Sequence, residues 1–163
     1  MRIISGKYKN RELQSPNSNT THPMGDRERL AIFNMLTSRL GTPDLTDRTV
    51  LDLFAGTGAL GVEALSRGAA SAIFVEKDNK AITCLKQNLK DIDNCKIIKQ
   101  DAYKLELDQK FDLVFLDPPY DKFDPQILNF KKFLKENGIL IISSPTPINE
   151  TSRKYANCYV TLV

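Results

Sequence analysis

A stretch in the first half of the chain, residues 49–61, constrains the fold more than any other. It is the sequence Thr-Val-Leu-Asp-Leu-Phe-Ala-Gly-Thr-Gly-Ala-Leu-Gly, in which an apolar run ends at Gly56, Gly58 and Gly61 and a helical pattern follows at once. Glycine adopts backbone angles that a Cβ forbids, and it lets a ligand approach the amide groups of a helix N-terminus. The stretch therefore predicts a strand, a tight turn and a helix, with a small polar ligand at the turn.

Composition excludes several classes of protein. With 163 residues and 41% hydrophobic content, the sequence predicts one domain over residues 1–163, with an N-terminal extension (1–40) and a core (41–163). No apolar run approaches the ~20 residues of a membrane span and a signal peptide is not evident, so we expect a cytoplasmic protein with no membrane partner. The three cysteines form no C-x-x-C pair and His22 is the only histidine, which argues against a disulfide framework or a metal site.

Strands and helices alternate along the core. The apolar runs predict strands at 50–54, 71–76, 96–100, 111–116 and 139–143. The intervening patterns predict helices at 59–67, 78–91 and around 127–134, and a closing hairpin formed by 151–155 and 159–163. Continuously apolar strands that alternate with helices indicate an α/β protein with a parallel, doubly wound sheet.

The N-terminal extension carries an excess of positive charge. Residues 1–40 contain seven Lys or Arg and three Asp or Glu side chains. Residues 2–14 predict a small hairpin, and residues 15–25 a mobile loop. An aromatic ring among basic side chains suits a phosphate backbone and an unstacked base, so we expect RNA contacts in the hairpin. The residues concerned are Arg2, Lys7, Tyr8, Lys9 and Arg11.

A helix is predicted to follow from Asp26, as its N-cap, to about residue 40, with Leu30, Phe33 and Leu36 on its apolar face. Arg27 and Arg29 lie in the first turn, where the helix dipole disfavours cations. That placement predicts a binding role for these two arginines as well.

Acidic residues follow the second and third predicted strands. Glu76 comes twenty residues after Gly56, where an acid can accept hydrogen bonds from the hydroxyls of a ribose. Asp101 ends the third strand and can accept from the exocyclic amine of an adenine, with the N–H of Ala102 nearby. Because ligands collect at the C-terminal ends of parallel strands, these residues together with the glycines predict an adenosine ligand. The glycine spacing alone does not separate a nicotinamide cofactor from other such ligands.

The fourth strand leads into Asp117-Pro118-Pro119-Tyr120, the most informative tetrapeptide of the chain. Two prolines fix φ and remove two N–H donors, so the carbonyl of Pro118 can be presented rigidly beside the Asp117 carboxylate. Two such acceptors can hold both N–H groups of a planar amine and favour the nitrogen lone pair for attack on an electrophile. The ring of Tyr120 can stack against the attached base.

These motifs resemble a known family. Asp52-x-Phe54-Ala55-Gly56-x-Gly58 followed by Asp117-Pro-Pro-Tyr120 is similar to the S-adenosylmethionine-dependent methyltransferases of exocyclic amines. Met1-Arg-Ile-Ile-Ser-Gly6, Asp26-Arg27-x-Arg29 with Phe33-Asn34, and Leu60-Gly-x-Glu-Ala-Leu-Ser-Arg-Gly-Ala69 resemble, more narrowly, the RsmD-type bacterial 16S ribosomal RNA guanine-N2 methyltransferases.

The resemblance implies a Rossmann-like class I methyltransferase fold with about seven mostly parallel strands, the last antiparallel. It implies S-adenosylmethionine as cofactor, no metal, and a monomer that acts on ribosomal RNA in the small subunit or an assembly intermediate. The implied cofactor-binding residues are Asp52, Phe54, Ala55, Gly56, Gly58, Glu76, Asp101 and Ala102. The implied catalytic residues are Asp117, Pro118, Pro119 and Tyr120.

Three other functions fit parts of the sequence. A DNA adenine-N6 methyltransferase would use the same two acceptors, and a nicotinamide oxidoreductase would use the glycines but give residues 117–120 no task. A non-catalytic RNA-binding protein on a methyltransferase fold is the third. It stays open because His22 and Leu30 depart from the family pattern, which has arginine and glutamate there.

Overall fold

A seven-stranded sheet organises the molecule. The computed structural model describes residues 1–16 and 24–163. The strands are β1 (Thr49–Leu53), β2 (Ser71–Glu76), β3 (Cys95–Lys99), β4 (Phe111–Leu116), β5 (Leu134–Ser144), β6 (Arg153–Tyr155) and β7 (Cys158–Leu162). Their order in the sheet is β3-β2-β1-β4-β5-β7-β6. Strands β1 to β5 run parallel, whereas β7 is antiparallel to both β5 and β6. The predicted Rossmann-like class I methyltransferase fold is confirmed.

Three α-helices accompany the strands in the described part of the chain: α1 (Asp26–Leu40), α2 (Ala59–Ser66) and α3 (Asn79–Asn88). None of the helices within the described residues is long and apolar enough to cross a membrane. The N-cap of α1 is Gly25, so the prediction of Asp26 as the cap is wrong by one residue, and the helix ends at Gly41 with φ 73°. Asp78 caps α3 as expected, because its side chain accepts a hydrogen bond from the N–H of Ala81.

The segment after β4 forms 3-10 turns in place of the predicted α-helix. The 3-10 turns after β4 are Tyr120–Lys122 and Pro125–Phe133. A further 3-10 turn, Ala102–Lys104, follows β3. Strand β5 then begins at residue 134, earlier than predicted, with an irregularity where Phe111 pairs with Leu134 and Leu113 with Ile139.

The core lies on both faces of the sheet because strand side chains alternate between them. On one face, Leu113 and Phe115 of β4 pack in the same cluster as residues of α1, α2 and α3. On the other face, Val114 and Leu116 pack in the same cluster as the Pro125–Phe133 turn. The sheet is therefore covered on both sides, as a parallel sheet requires.

The N-terminal segment lies along α2. The N–H groups of Ile4 and Ser5 donate to the Glu63 carboxylate at 2.7 and 3.0 Å, and the N–H of Lys7 donates to the carbonyl of Ser66 at 2.7 Å. The predicted hairpin is present as a single antiparallel bridge between Arg2 and Glu12. Most of the predicted loop, residues 17–23, lies outside the described residues.

Candidate active site

The glycine turn after β1 uses its glycines for two different purposes. Gly58 and Gly61 are required by packing, because a Cβ on Gly58 would lie 2.5 Å from Leu85 and one on Gly61 would lie 2.3 Å from Phe74. A Cβ on Gly56 would meet only the carbonyl of Phe54, at 3.9 Å. Gly56 therefore borders open space, and its φ of 55° places it in the left-handed region.

Asp52 stabilises the glycine turn from the buried side. Its side chain is 2% exposed and accepts a hydrogen bond from the N–H of Gly61 at 2.9 Å, which ties the start of α2 to β1. Burial raises the pKa of this carboxyl well above its usual range, against the Gly61 hydrogen bond, and the charges of Asp117 and Glu76 raise it further. Asp52 therefore supports the turn that borders the predicted ligand, and its own contact with the cofactor stays a prediction.

Phe54 and Ala55 form the next part of the turn. Phe54 has φ 61°, a rare conformation for a non-glycine residue, and its ring lies 5.4 Å from the ring of Tyr103 and 6.2 Å from that of Phe130. Ala55 donates its N–H to the carbonyl of Val75 at 3.0 Å. Phe54 therefore joins an aromatic wall at this edge that sequence analysis did not foresee, because its other rings come from segments distant in the chain.

Glu76 joins the end of β2 to the turn. One carboxylate oxygen accepts from the N–H of Gly56 at 2.9 Å, and the other accepts from the N–H groups of Lys77 and Asp78 at 2.8 and 2.9 Å. A carboxylate has about four lone-pair sites, so capacity for a further donor is left.

Asp101 lies at the end of β3, beside Glu76. It accepts from the Lys77 ammonium at 2.9 Å and from the N–H of Tyr103 at 3.2 Å. The hydrogen bond from Lys77 is the main cause that lowers the pKa of Asp101. Ala102 follows with 4% exposure. The Lys77 partner was not predicted, because only the β2–β3 pairing brings these two residues together.

The Asp117–Tyr120 segment forms the second half of the site. Asp117 is half-buried, and burial raises its pKa to about 6, opposed by a hydrogen bond from Ser143. Pro118 is buried and Pro119 is exposed. The Tyr120 hydroxyl lies 2.7 Å from the Ser143 hydroxyl, while the tyrosine is 38% exposed. The hydroxyl of Tyr120 is thus held in place while its ring stays accessible, so the ring can stack on a planar base.

The sheet brings the two halves together. Strands β1 and β4 are parallel neighbours in which Leu53 pairs with Leu116, so Phe54 and Asp117 leave the sheet side by side. Neighbouring strands are about 4.8 Å apart. The glycine turn and the diproline segment therefore share one edge, and the influence of the Asp117 charge on Asp52 is consistent with this proximity.

The basic tip of the N-terminal segment lies away from that edge. Lys7 and Tyr8 bond through their N–H groups to Ser66, at the end of α2 remote from the glycine turn, which is about 12 Å along an eight-residue helix. Lys7 and Arg11 lie 5.2 and 5.8 Å from the Tyr8 ring, and Lys9 is exposed. Arg11 also donates to backbone carbonyls at the end of α3.

The other basic residues divide into exposed and buried ones. Arg27 is exposed in the first turn of α1, and Arg2 is exposed and paired with Glu12 at 2.7 Å. Arg29 is 0% exposed, donates to the carbonyl of Arg2 and to Asp26, and lies 3.9 Å from Glu63. The structure therefore contradicts an RNA contact for Arg29, which anchors α1 to α2.

Within residues 1–16 and 24–163, no group of three or more His, Cys, Asp or Glu side chains could hold a metal ion. Ser143 and Cys158, by contrast, are near Asp117 and Tyr120 and were not predicted from the sequence.

The chain is similar to known proteins in sequence and in fold. The model of the family "Conserved hypothetical protein 95" matches residues 1–159. Ribosomal RNA small subunit methyltransferase D of Escherichia coli K12 is 39% identical over 125 residues, which are 74% of this chain and 60% of the relative. A hypothetical protein of Thermus thermophilus has a structure with TM-score 0.83 and 29% identity, covering 100% of this chain and 98% of that one.

A more distant neighbour shows the fold alone. The T. thermophilus 16S rRNA N2 G1207 methyltransferase RsmC, in complex with AdoMet and guanosine, has TM-score 0.69 and 24% identity over 87% of this chain and 43% of its own. With the family match over nearly the whole sequence, the chain belongs to the conserved hypothetical protein 95 family, the RsmD family, and has its class I methyltransferase fold.

Proposed function

We propose that this protein is an S-adenosylmethionine-dependent methyltransferase that methylates the exocyclic N2 amine of a guanine in small-subunit ribosomal RNA. The observation that carries the proposal is the shared edge at which the glycine turn and Asp117–Tyr120 meet on neighbouring strands. The name of the E. coli relative, which includes small-subunit ribosomal RNA, supports the substrate class. The choice of the guanine N2 amine rests on the two acceptors at Asp117 and Pro118 and on the resemblance of the N-terminal motifs to guanine-N2 methyltransferases.

The residues at the edge fit the cofactor. The open space beside Gly56 would admit a ligand against bare backbone, and the carboxylates of Glu76 and Asp101 would accept from a ribose and from an adenine amine. Phe54 and Tyr103 offer apolar surface for the adenine. When bound, S-adenosylmethionine supplies a methyl group on a positively charged sulfur.

The chain's own residues would hold and orient the amine. The Asp117 carboxylate and the Pro118 carbonyl accept its two N–H groups, and the Tyr120 ring stacks on the base while Ser143 holds its hydroxyl. With a pKa of about 6, Asp117 is mainly ionised at neutral pH and can also accept the proton that the amine loses. Proximity and orientation then supply much of the acceleration.

The basic tip would make a second contact with RNA. Lys7 and Lys9 are exposed and lie near Tyr8, at least about 12 Å from the glycine turn along α2. A substrate that touches both places must span at least that distance, which suits a large structured RNA better than a short strand.

Nucleoside analysis tests the reaction. Mass spectrometry of small-subunit ribosomal RNA from cells with and without the gene should show one N2-methylguanosine that is lost with the gene. An unchanged nucleoside profile would refute the substrate assignment.

Two competing functions need separate assays. Tritiated cofactor incubated with small ribosomal subunits or with duplex DNA distinguishes the RNA enzyme from a DNA adenine-N6 methyltransferase, since only one substrate should be labelled. Calorimetry with the cofactor tests the third alternative: absence of binding would favour a non-catalytic RNA-binding protein. The nicotinamide alternative finds no support in the family match.

A further inference from the structure

Helix α1 points its N-terminal end at the active-site edge. Its Arg29 lies 3.9 Å from Glu63 in the middle of α2, and the ring of its Phe33 lies under the guanidinium of Arg67, 4.5 Å away, just beyond the end of α2. The two helices therefore run in the same direction. Because α2 starts at the glycine turn, the first turn of α1 also lies toward the ligand edge.

The same helix covers the face of the sheet that bears Asp117. The ring of Phe33 contacts that of Phe115 at a centroid distance of 5.8 Å. Side chains alternate along a strand, so Asp117, two residues beyond Phe115, starts from the face that α1 covers. Cys158 of β7 belongs to the same buried cluster as Phe33.

One acidic side chain of α1 lies at this junction. Glu28 is one turn before Ile32 and two turns before Leu36, both 1% exposed, so it continues the buried stripe of the helix. Helical side chains lean toward the N-terminus, which directs Glu28 to the ligand edge. It is half-buried and accepts no hydrogen bond from any residue within 1–16 or 24–163.

The electrostatics agree with this placement. Burial is the main cause that raises the pKa of both Asp117 and Cys158, and the negative charge of Glu28 raises each of them further. Two carboxylates on one side of a site repel each other unless a ligand brings donors to both.

We propose that Glu28 determines the base specificity of the reaction by accepting a hydrogen bond from N1–H of guanine, while Asp117 and Pro118 hold the neighbouring N2 amine. This inference rests on the proposed function. Guanine presents two adjacent donors on its Watson–Crick edge, N1–H and N2–H. Adenine presents an acceptor at N1, so a carboxylate at this position favours guanine and repels adenine.

A purely structural role for Glu28 is the competing explanation. The residue is the third of α1, and its carboxylate oxygen lies 2.3 Å from where a Cβ on Gly25 would be, so it also complements the helix dipole. Removing a structural acid would weaken α1 without changing which base is methylated.

The test combines enzyme variants with altered substrates. Small subunits are reconstituted with RNA that carries either guanosine or 2-aminopurine riboside at the methylated position, since 2-aminopurine keeps the 2-amino group but lacks N1–H. Single-turnover rates are measured with the wild-type protein, Glu28→Ala, Glu28→Gln and the control Asp26→Ala. Asp26 is another acid in the first turn of α1. Melting temperature and cofactor affinity are measured for each variant.

The expected result is a specific loss. Glu28→Ala should slow transfer to guanosine by roughly 10- to 100-fold, the range for a hydrogen bond to a charged group. The same change should raise transfer to 2-aminopurine, because it removes the repulsion between the carboxylate and the N1 lone pair of that base. Glu28→Gln keeps an acceptor oxygen and should retain most of the preference, and Asp26→Ala should retain all of it.

Two results would overturn the inference: an equal effect of Glu28→Ala on both bases, or no effect on either. If the wild-type protein labels neither substrate although it binds cofactor, the proposed function fails first. The two failures are thus distinguishable.

Discussion

Replacing Asp117 by asparagine should make the protein more stable and less active at the same time, because the amide keeps one acceptor oxygen but cannot take the proton that the amine loses. Burial raises the pKa of this carboxyl from 3.8 to about 6, which means that the folded state resists its ionisation. A shift of roughly two units corresponds to at most about 3 kcal/mol, and partial exposure to water reduces this to about 1–2 kcal/mol.

The sign of the effect depends on pH. Below pH 3.8 the carboxyl is protonated in both the folded and the unfolded protein, so it causes no penalty. Between pH 4 and 6 the unfolded state releases its proton first, and stability falls as pH rises until the folded carboxyl has ionised as well. Asp117→Asn removes this penalty, so the gain in unfolding free energy should be small at pH 3.5 and reach its full value at pH 8.

Urea unfolding of both proteins at these two pH values measures the gain, and methyl transfer with labelled cofactor measures the loss of activity. Wild-type kcat/KM should fall about tenfold per pH unit below pH 6, because a protonated Asp117 accepts poorly from an amine. A difference in stability that does not change with pH, or an asparagine variant that keeps wild-type turnover, would contradict the reasoning.

Three further predictions concern the turn, the buried arginine and the basic tip. Gly56→Ala should cost about 1 kcal/mol of stability through its positive φ but weaken cofactor binding at least about tenfold by calorimetry, whereas Gly58→Ala should lose up to about 3 kcal/mol of stability through overpacking. Arg29→Ala should lower the unfolding free energy in urea by about 2–5 kcal/mol, because it removes a fully buried side chain and leaves the carbonyl of Arg2 without its donor. Replacing Lys7 and Lys9 together by alanine should reduce the salt dependence of RNA binding by about two phosphate contacts and leave cofactor affinity unchanged.

Each of these three predictions has a result that would contradict it. If Gly56→Ala bound the cofactor as tightly as the wild-type protein does, no ligand would approach the backbone at residue 56. Arg27→Ala is the control for Arg29, since Arg27 is exposed in the same helical turn and its loss should leave stability within about 0.5 kcal/mol. An RNA-binding salt slope unchanged by the double lysine substitution would remove the tip from the interface.

The strands and the glycine turn were predictable because their signals are local. A continuous apolar run, a glycine that needs positive φ and a capping aspartate such as Asp78 each act within a few residues. That the turn and Asp117 lie at one edge of the sheet was expected from the parallel strands, whereas the order that makes β1 and β4 neighbours came from the structure.

The segment from 125 to 133 shows why an apolar pattern can predict the wrong helix type. Ile127, Phe130 and Phe133 are buried at 1%, 4% and 1% exposure. Their spacing of three residues matches the 3-10 period, in which residues i and i+3 are aligned, yet it is also compatible with an α-helix. These three side chains pack in one cluster with residues of β4, and this packing favours the 3-10 form.

The role of Arg29 was not predictable from its own surroundings. Arg27 and Arg29 both lie in the first turn of α1, and the helix period alone does not say which one meets an acid. The partner, Glu63, belongs to another helix and is itself 0% exposed. For the same reason Ser143 and Cys158 were not predicted: Ser143 reaches the site through the β4–β5 pairing, and Cys158 through the pairing of β7 with β5.

The carboxylate of Glu63 has an evolutionary consequence. It accepts hydrogen bonds from the N–H groups of Ile4 and Ser5, pairs with Arg67 at 2.9 Å and lies near Arg29. Its loss would therefore remove the negative charge that faces the buried Arg29 and the partly buried Arg67. Lineages that abandon the acid should abandon both arginines too, and an alignment of homologues should show these three positions covarying. Leu30, 41% exposed, should drift independently of them.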